Sequence, residues 1–97
     1  MQYRVELTAE FKAWLDGLND ITAKKAISRR IVRVEIGNFG DHASVGDGMS
    51  ELRIHVGQGY RAYYTIRARV VVFMLSGGTK RTQDRDIVRA KQMAREI

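Results

Sequence analysis

The chain has 97 residues, 44% hydrophobic and 29% charged, which is typical of one folded domain over residues 1–97 and excludes a disordered or membrane-spanning chain. It contains no cysteine, which excludes disulfides and favours the cytoplasm. Its two histidines are not spaced like metal ligands, so we predict no metal or other cofactor. The net charge is +6, and 12 of the 17 basic residues are arginines, which bind phosphate at two points, so we expect a polyanion or an acidic protein as partner.

The first third of the chain predicts a strand followed by two helices. Polar and apolar residues alternate over Gln2–Leu7, which favours a short strand. Thr8 is a typical N-cap for a helix whose apolar residues recur at helical spacing, and Gly17–Asn19 is predicted to end that helix. Asp20 caps a second helix that runs to about Ile36, and the short connection predicts an antiparallel helix pair.

The second helix is predicted to have one apolar face and one basic face. Its expected inward residues are Ile21, Ala23 or the Lys24 stem, Ile27, Ile31 and Val34. Its basic residues, which are candidates for contact with an RNA backbone, are Lys24, Lys25, Arg29, Arg30 and Arg33. A charged helix face is usually no more than a solvated surface, so both interpretations stay open.

The second half of the chain predicts three more strands. Asn38–Gly48 is rich in Gly, Asp, Asn and Ser and is predicted to be a loop. Alternation then predicts one strand from Met49 and another over Tyr60–Ile66, and Gly57–Gly59 is a suitable tight turn between them. The continuous apolar run Val70–Leu75 indicates a central strand that is covered on both faces.

The end of the chain predicts a turn and a last helix. Ser76–Thr79 is expected to turn the chain into a helix over Gln83–Ile97. The expected inward residues of that helix are Ile87, Ala90, Ala94 and Ile97. The element order is β-α-α-β-β-β-α, which predicts an α+β fold with helices packed on an antiparallel sheet and the first strand at its edge.

One face of the two middle strands carries candidate catalytic groups. Because antiparallel neighbours place same-face residues side by side, Arg53 and His55 are expected near Arg61 and Tyr63. Two guanidinium groups, an imidazole and a phenol can bind a phosphate and transfer protons. A polar, solvated sheet face without a ligand is the competing interpretation.

The segment after the last strand offers a second basic group. Ser76–Thr79 could hold a phosphate through its backbone amides at the start of a helix, with Lys80 and Arg81 supplying positive charge. It does not match the phosphate-binding loop of nucleotide hydrolases, G-x-x-x-x-G-K-[ST], so we do not predict nucleotide hydrolysis. A glycine turn followed by solvent-facing cations explains the segment equally well.

Short motifs in a fixed order resemble one known family. They are T-x-E-F-x-x-W-L in the first helix, G-N-F-G-D at 37–41, E-L-R-I-H, G-x-G-Y-R-x-Y-Y, and G-G-x-K-x-x-Q-x-x-D-I. Together they cover nearly the whole chain, which resembles toxins of bacterial type II toxin–antitoxin modules. The resemblance is to the RelE/ParE superfamily, in its HigB-like (phage Gp49-like) branch, and it implies two N-terminal helices packed on an antiparallel sheet.

The resemblance implies ribosome-dependent cleavage of mRNA, in which the ribose 2′-hydroxyl attacks the adjacent phosphate and leaves a 2′,3′-cyclic phosphate. Arg61 matches the family's G-Y-R arginine and is expected to stabilise the phosphate. Arg53 and His55 lie on the strand that carries basic catalytic residues in RelE-like toxins, with His55 as the candidate proton-transfer group. Lys80 and Arg81 match the basic position after the glycine turn.

The chain departs from RelE in lacking a tyrosine just beyond that basic turn. Either His55 or Tyr63 takes its place, or cleavage is weak, or the target differs. ParE-like members inhibit DNA gyrase without a nuclease site, and a catalytically inactive antitoxin-binding module is a further alternative. Each alternative implies a cognate antitoxin, expected to be a HigA-like helix-turn-helix protein through which any DNA contact occurs.

Overall fold

The computed structural model describes residues 2–97 and contains one five-stranded sheet with helices on both faces. The strands are β1 (Arg4–Leu7), β2 (His42–Gly46), β3 (Met49–Ile54), β4 (Tyr60–Arg67) and β5 (Val71–Thr79). The helices are α1 (Ala9–Asp16), α2 (Ile21–Glu35) and α3 (Gln83–Arg95), the last preceded by a 3-10 turn, Lys80–Thr82. The predicted α+β fold is confirmed, and among residues 2–97 every helix is too short or too polar to traverse a lipid bilayer.

The strand order is β1-β5-β4-β3-β2. The three middle pairings are antiparallel, whereas β1 runs parallel to β5 at one edge. The prediction of an edge position for the first strand is confirmed, and the sheet is mixed rather than fully antiparallel.

The helices form two separate cores, one on each face of the sheet. Helices α1 and α2 cover one face, where Phe11 and Ile27 pack against Leu52 and Ala62. Helix α3 covers the other face, where Ala90 and Met93 pack with buried groups that include Tyr63, Met49 and Leu75. Both N-caps predicted for the first two helices are present, since the side chains of Thr8 and Asp20 accept from the amides of Phe11 and Ala23.

Two predicted boundaries are wrong. The segment predicted as a loop at Asn38–Gly48 contains β2, a short edge strand whose outward His42 and Ser44 are exposed. Ser76–Thr79 does not turn the chain but continues β5, in register with Tyr63–Tyr60 of β4. A β-bulge between Tyr63 and Tyr64 admits an extra residue on β5 there.

Close packing explains why two glycines sit inside β5. A Cβ on Gly77 would overlap the indole ring of Trp14 on one face, and a Cβ on Gly78 would overlap the Asp86 carboxylate on the other. The glycines therefore allow close helix approach, and they do not mark a turn. Among the predicted inward residues, Ile21 and Ile97 are exposed because they lie at helix ends beyond the sheet.

We expect Gly77→Ala to lower the free energy of unfolding by about 1–3 kcal/mol, because its methyl group displaces the Trp14 ring. Urea denaturation measures this loss. If the overlap with the indole is the cause, the loss is smaller in a Trp14→Leu background than in the wild-type chain. Equal losses in the two backgrounds would show that the alanine destabilises the strand for a reason other than overlap with Trp14.

Candidate functional site

Four charged side chains and one imidazole form a continuous row from the middle of the sheet to the end of β3. We call Arg61, Glu51, Arg53, Asp41 and His55 the charged row. Oε2 of Glu51 lies 3.7 Å from Arg61 Nε and 2.8 Å from Arg53 Nε. The carboxylate of Asp41 continues the row, with Oδ1 3.8 Å from Arg53 Nη1 and Oδ2 2.5 Å from His55 Nε2. Basic and acidic groups thus alternate along the row.

Strand pairing places the inner part of this row. Arg53 of β3 lies opposite Arg61 of β4, and Glu51 lies opposite Tyr63, so all four side chains project from the same face of the sheet. The sequence predicted this shared face for Arg53, Arg61 and Tyr63. His55 comes after the last residue of β3 and reaches the row through Asp41.

Exposure increases along the row. The side chain of Arg61 is 9% exposed, that of Arg53 38% and that of His55 69%. The start of α3 covers the inner end, because Gly78, the partner of Arg61, packs against Asp86. A ligand that approached the row would therefore meet Arg53 and His55 before Arg61, which lies beneath them.

Glu51 hydrogen-bonds Arg53 and lies within ion-pair distance of Arg61, whose Nε has no hydrogen-bond partner among residues 2–97. Its carboxylate is buried, and its hydrogen bond raises the pKa of Arg53 above its ordinary value, which keeps that group a cation. A buried carboxylate without such partners would destabilise the folded protein, because removing its charge from water costs free energy. The sequence analysis did not single out Glu51, although its position two residues before Arg53 put it on the same face.

Tyr63 is fully buried against α3, and its hydroxyl has no hydrogen-bond partner among residues 2–97. Burial raises the pKa of Tyr63 far above its ordinary value, and the nearby charges of Glu51 and Asp86 raise it further. The phenol therefore stays protonated and is able to donate a hydrogen bond, but it cannot serve as a base. Because its ring is fully buried, Tyr63 also cannot stack on an unpaired nucleobase.

Lys80 and Arg81 lie in the 3-10 turn after β5, and both are exposed. The amide of Lys80 donates to the carbonyl of Gly59 at 3.1 Å, which places Lys80 beside the turn between β3 and β4. The predicted phosphate cradle at Ser76–Thr79 is wrong, because those residues are paired with β4 and helices pack against both of their glycines. Both basic side chains are exposed in the turn that directly follows the strand paired with Arg61.

The structure brings part of the basic face of α2 to the outer end of the row. Arg29 and Arg33 line a groove of about 230 Å³ together with Arg53 and His55. Its lining is completed by Ala26, Arg30, Ile54 and Val56. Residues predicted as two separate groups, one catalytic and one RNA-binding, thus share one surface.

Arg30 differs from its neighbours on α2. Its guanidinium donates to the backbone carbonyls of Arg53 at 2.5 Å, Phe39 at 2.9 Å and Asp41 at 2.9 Å. Burial is the main cause that lowers the pKa of Arg30, and the charge of Asp41 opposes it. The prediction of an outward, ligand-binding Arg30 is wrong, because the side chain ties the loop before β2 to the end of β3.

The two lysines of α2 lie apart from the groove. Lys24 Nζ donates to the carbonyl of Asp16 at 3.2 Å, which links α2 to the end of α1. Lys25 is exposed and does not line the groove. Among residues 2–97, no group of three or more His, Asp or Glu side chains is arranged to hold a metal ion.

Comparison with known proteins agrees with this architecture. Residues 13–95 match the family model described as phage derived protein Gp49-like. An uncharacterized protein of Haemophilus influenzae is 47% identical over 97 residues, which cover 100% of this chain and 98% of that protein. A free-state structure of the E. coli toxin RelE, carrying two arginine-to-alanine substitutions, superposes with a TM-score of 0.73 at 18% identity, over 100% of this chain and 99% of that one. The predicted RelE-like fold is confirmed.

We expect Tyr63→Phe to leave the free energy of unfolding unchanged or to raise it by about 1 kcal/mol, because it removes a buried hydroxyl that has no partner. Tyr60→Phe is the matched control, since it deletes a hydroxyl that accepts from Gln58 at 3.4 Å, and we expect a small loss there. Urea denaturation compares the two variants. A larger loss for Tyr63→Phe would indicate that a bound water or ligand satisfies the hydroxyl.

Proposed function

Because the chain belongs to the Gp49-like family of phage-derived proteins and has the RelE fold, we propose that it is the toxin of a type II toxin–antitoxin system. We propose further that it inhibits translation as an mRNA interferase, an endoribonuclease that cleaves mRNA on the ribosome. The cytoplasm is the compartment in which such an activity has its substrate. A cognate antitoxin, of the helix-turn-helix, HigA-like kind, would neutralise it and supply any contact with DNA.

The observation that carries this proposal is the pair of guanidinium groups on adjacent strands. Arg53 and Arg61 are direct register partners; Arg53 donates to the Glu51 carboxylate at 2.8 Å, and Arg61 lies within ion-pair distance of the same carboxylate at 3.7 Å. The hydrogen bond fixes the orientation of the Arg53 guanidinium before a ligand arrives, so this group is preorganised to bind a phosphate, with the charge of Arg61 beside it. Lys80 and Arg81 add exposed positive charge in the turn that follows β5.

RNA cleavage by the neighbouring 2′-hydroxyl needs two contributions from a protein. One is positive charge around the phosphate, which gains negative charge as the fifth oxygen attaches; the arginines supply it. The other is proton transfer from the attacking hydroxyl and to the leaving 5′ oxygen. The imidazole of His55 is the nitrogen base in the charged row that can accept a proton, so it is the candidate for the first transfer.

The burial of Arg61 favours a second candidate function. Its side chain is 9% exposed and lies near a carboxylate, so part of its charge is neutralised inside the protein. A gyrase inhibitor of the ParE kind needs only a protein-binding surface, which the outer arginines of the groove provide. An inactive antitoxin-binding module would need no phosphate site.

We expect Arg53→Ala and Arg61→Lys each to lower mRNA cleavage by about 10²–10³-fold, because each loses a two-point contact with the phosphate. Mapping of mRNA 5′ ends after induction, with gyrase supercoiling measured in parallel, checks this expectation. Urea denaturation of each variant distinguishes a lost contact from a lost fold.

Arg4→Ala is the control, because Arg4 is 70% exposed on β1 at the far edge of the sheet, and it is expected to cleave like the wild type. Growth arrest that persists in the arginine variants without new mRNA ends would reject the nuclease. Loss of supercoiling in the same cells would favour the gyrase inhibitor.

We expect Arg29→Ala and Arg33→Ala to weaken RNA binding and to reduce its salt dependence, because each removes one phosphate contact from the groove. The slope of log K against log salt should fall by about 0.7 per lost contact on single-stranded RNA. Fluorescence anisotropy with a labelled oligonucleotide measures it. Lys12→Ala on α1 removes the same charge outside the groove, and an equal effect there would show that only net charge matters.

A further inference from the structure

Asp41 and His55 form a pair at the open end of the charged row. Their hydrogen bond joins Nε2 of the ring to the Asp41 carboxylate at 2.5 Å, across 14 residues of sequence. The bond from His55 is the largest cause that lowers the pKa of Asp41, so Asp41 is ionised and can only accept. Nε2 therefore carries a proton, and in the neutral ring the lone pair resides on Nδ1.

The backbone of Asp41 is fixed from two sides. Its carbonyl accepts from the amide of Arg53 at 2.9 Å and from the guanidinium of Arg30 at 2.9 Å. Gly40, with φ of +63°, leaves room for that guanidinium, since a Cβ there would lie 3.0 Å from it. The backbone from which the Asp41 carboxylate projects is thus fixed without any ligand.

The remaining surroundings of the imidazole are basic. The charged groups that face His55 come from α2, from the loop before β2 and from β3: they are Arg29, Arg30, Arg33, Asp41 and Arg53. Arg30 is occupied by backbone carbonyls. A phosphodiester bound by the other arginines would therefore lie in the same groove as the ring, whose side chain is 69% exposed.

We propose that Asp41 is a positioning residue that holds His55 in the tautomer whose Nδ1 accepts the proton of the ribose 2′-hydroxyl. In this step the proton moves from the hydroxyl to Nδ1, a bond forms between the 2′ oxygen and phosphorus, and the bond from phosphorus to the 5′ oxygen breaks. The 5′ oxygen then takes a proton from water, and the hydroxide that remains takes the proton from Nδ1 of the imidazolium, which returns His55 to its neutral form. The assignment rests on the proposed endoribonuclease and adds to it an acid–histidine dyad, in which the carboxylate also stabilises the imidazolium that forms.

Asp41→Asn tests the dyad, because the amide of asparagine can donate to the ring and so favours the other tautomer. We expect kcat for ribosome-dependent mRNA cleavage to fall at least about tenfold, with KM changed by less than about threefold. Two-bond ¹H–¹⁵N spectra of the full ¹⁵N-labelled chain should show the Nε2–H tautomer of His55 in the wild type and a shift toward Nδ1–H in the variant. The tautomer is read without RNA, so it does not depend on the proposed activity.

Asp47→Asn is the matched control, since Asp47 is 74% exposed and pairs with Lys91 away from the charged row. We expect it to change neither cleavage nor the His55 spectrum. A wild-type Nδ1–H tautomer, or full cleavage by Asp41→Asn, would overturn the dyad and leave the endoribonuclease standing. Absence of cleavage by the wild-type chain on programmed ribosomes would overturn the endoribonuclease, and the catalytic role of Asp41 with it.

Discussion

The site depends on one buried carboxylate. Arg53 and Arg61 are direct partners across antiparallel strands, a position in which two like charges destabilise a sheet. Glu51 lies on the same face, 2.8 Å from one guanidinium and 3.7 Å from the other, and offsets that repulsion. Removal of the carboxylate would leave two cations facing each other, one of them buried, so the arginine pair and Glu51 form a single unit.

The helices cover the two faces of the sheet to different extents. Helices α1 and α2 cover one face with the larger core, and α3 covers only part of the other, where the charged row emerges at its side. Because β3 continues past the start of β2, the chain at Arg53 to Val56 meets α2 and forms the groove. Side chains of α2 and of the chain at the end of β3 therefore line the same groove.

The alternation of polar and apolar residues was sufficient to predict which side chains share a face with Arg53 and Arg61, because strand period alone decides it. It could not predict β2, since a five-residue edge strand rich in small and polar residues resembles a loop. The glycines of β5 were misread because their cause, the nearby Trp14 and Asp86, is distant in sequence. Asp41 escaped notice for the same reason: only the folded loop brings it to His55.

The paired glycines of β5 have one more consequence. At Gly77 and Gly78 nothing but main chain separates the indole of Trp14 from the carboxylate of Asp86. Because protein interiors are close-packed, α1 and the first turn of α3 are held apart at this point by the thickness of one main chain. A side chain at either glycine would separate a helix from the sheet, and at Gly78 it would lift the start of α3 away from the strand that pairs with Arg61.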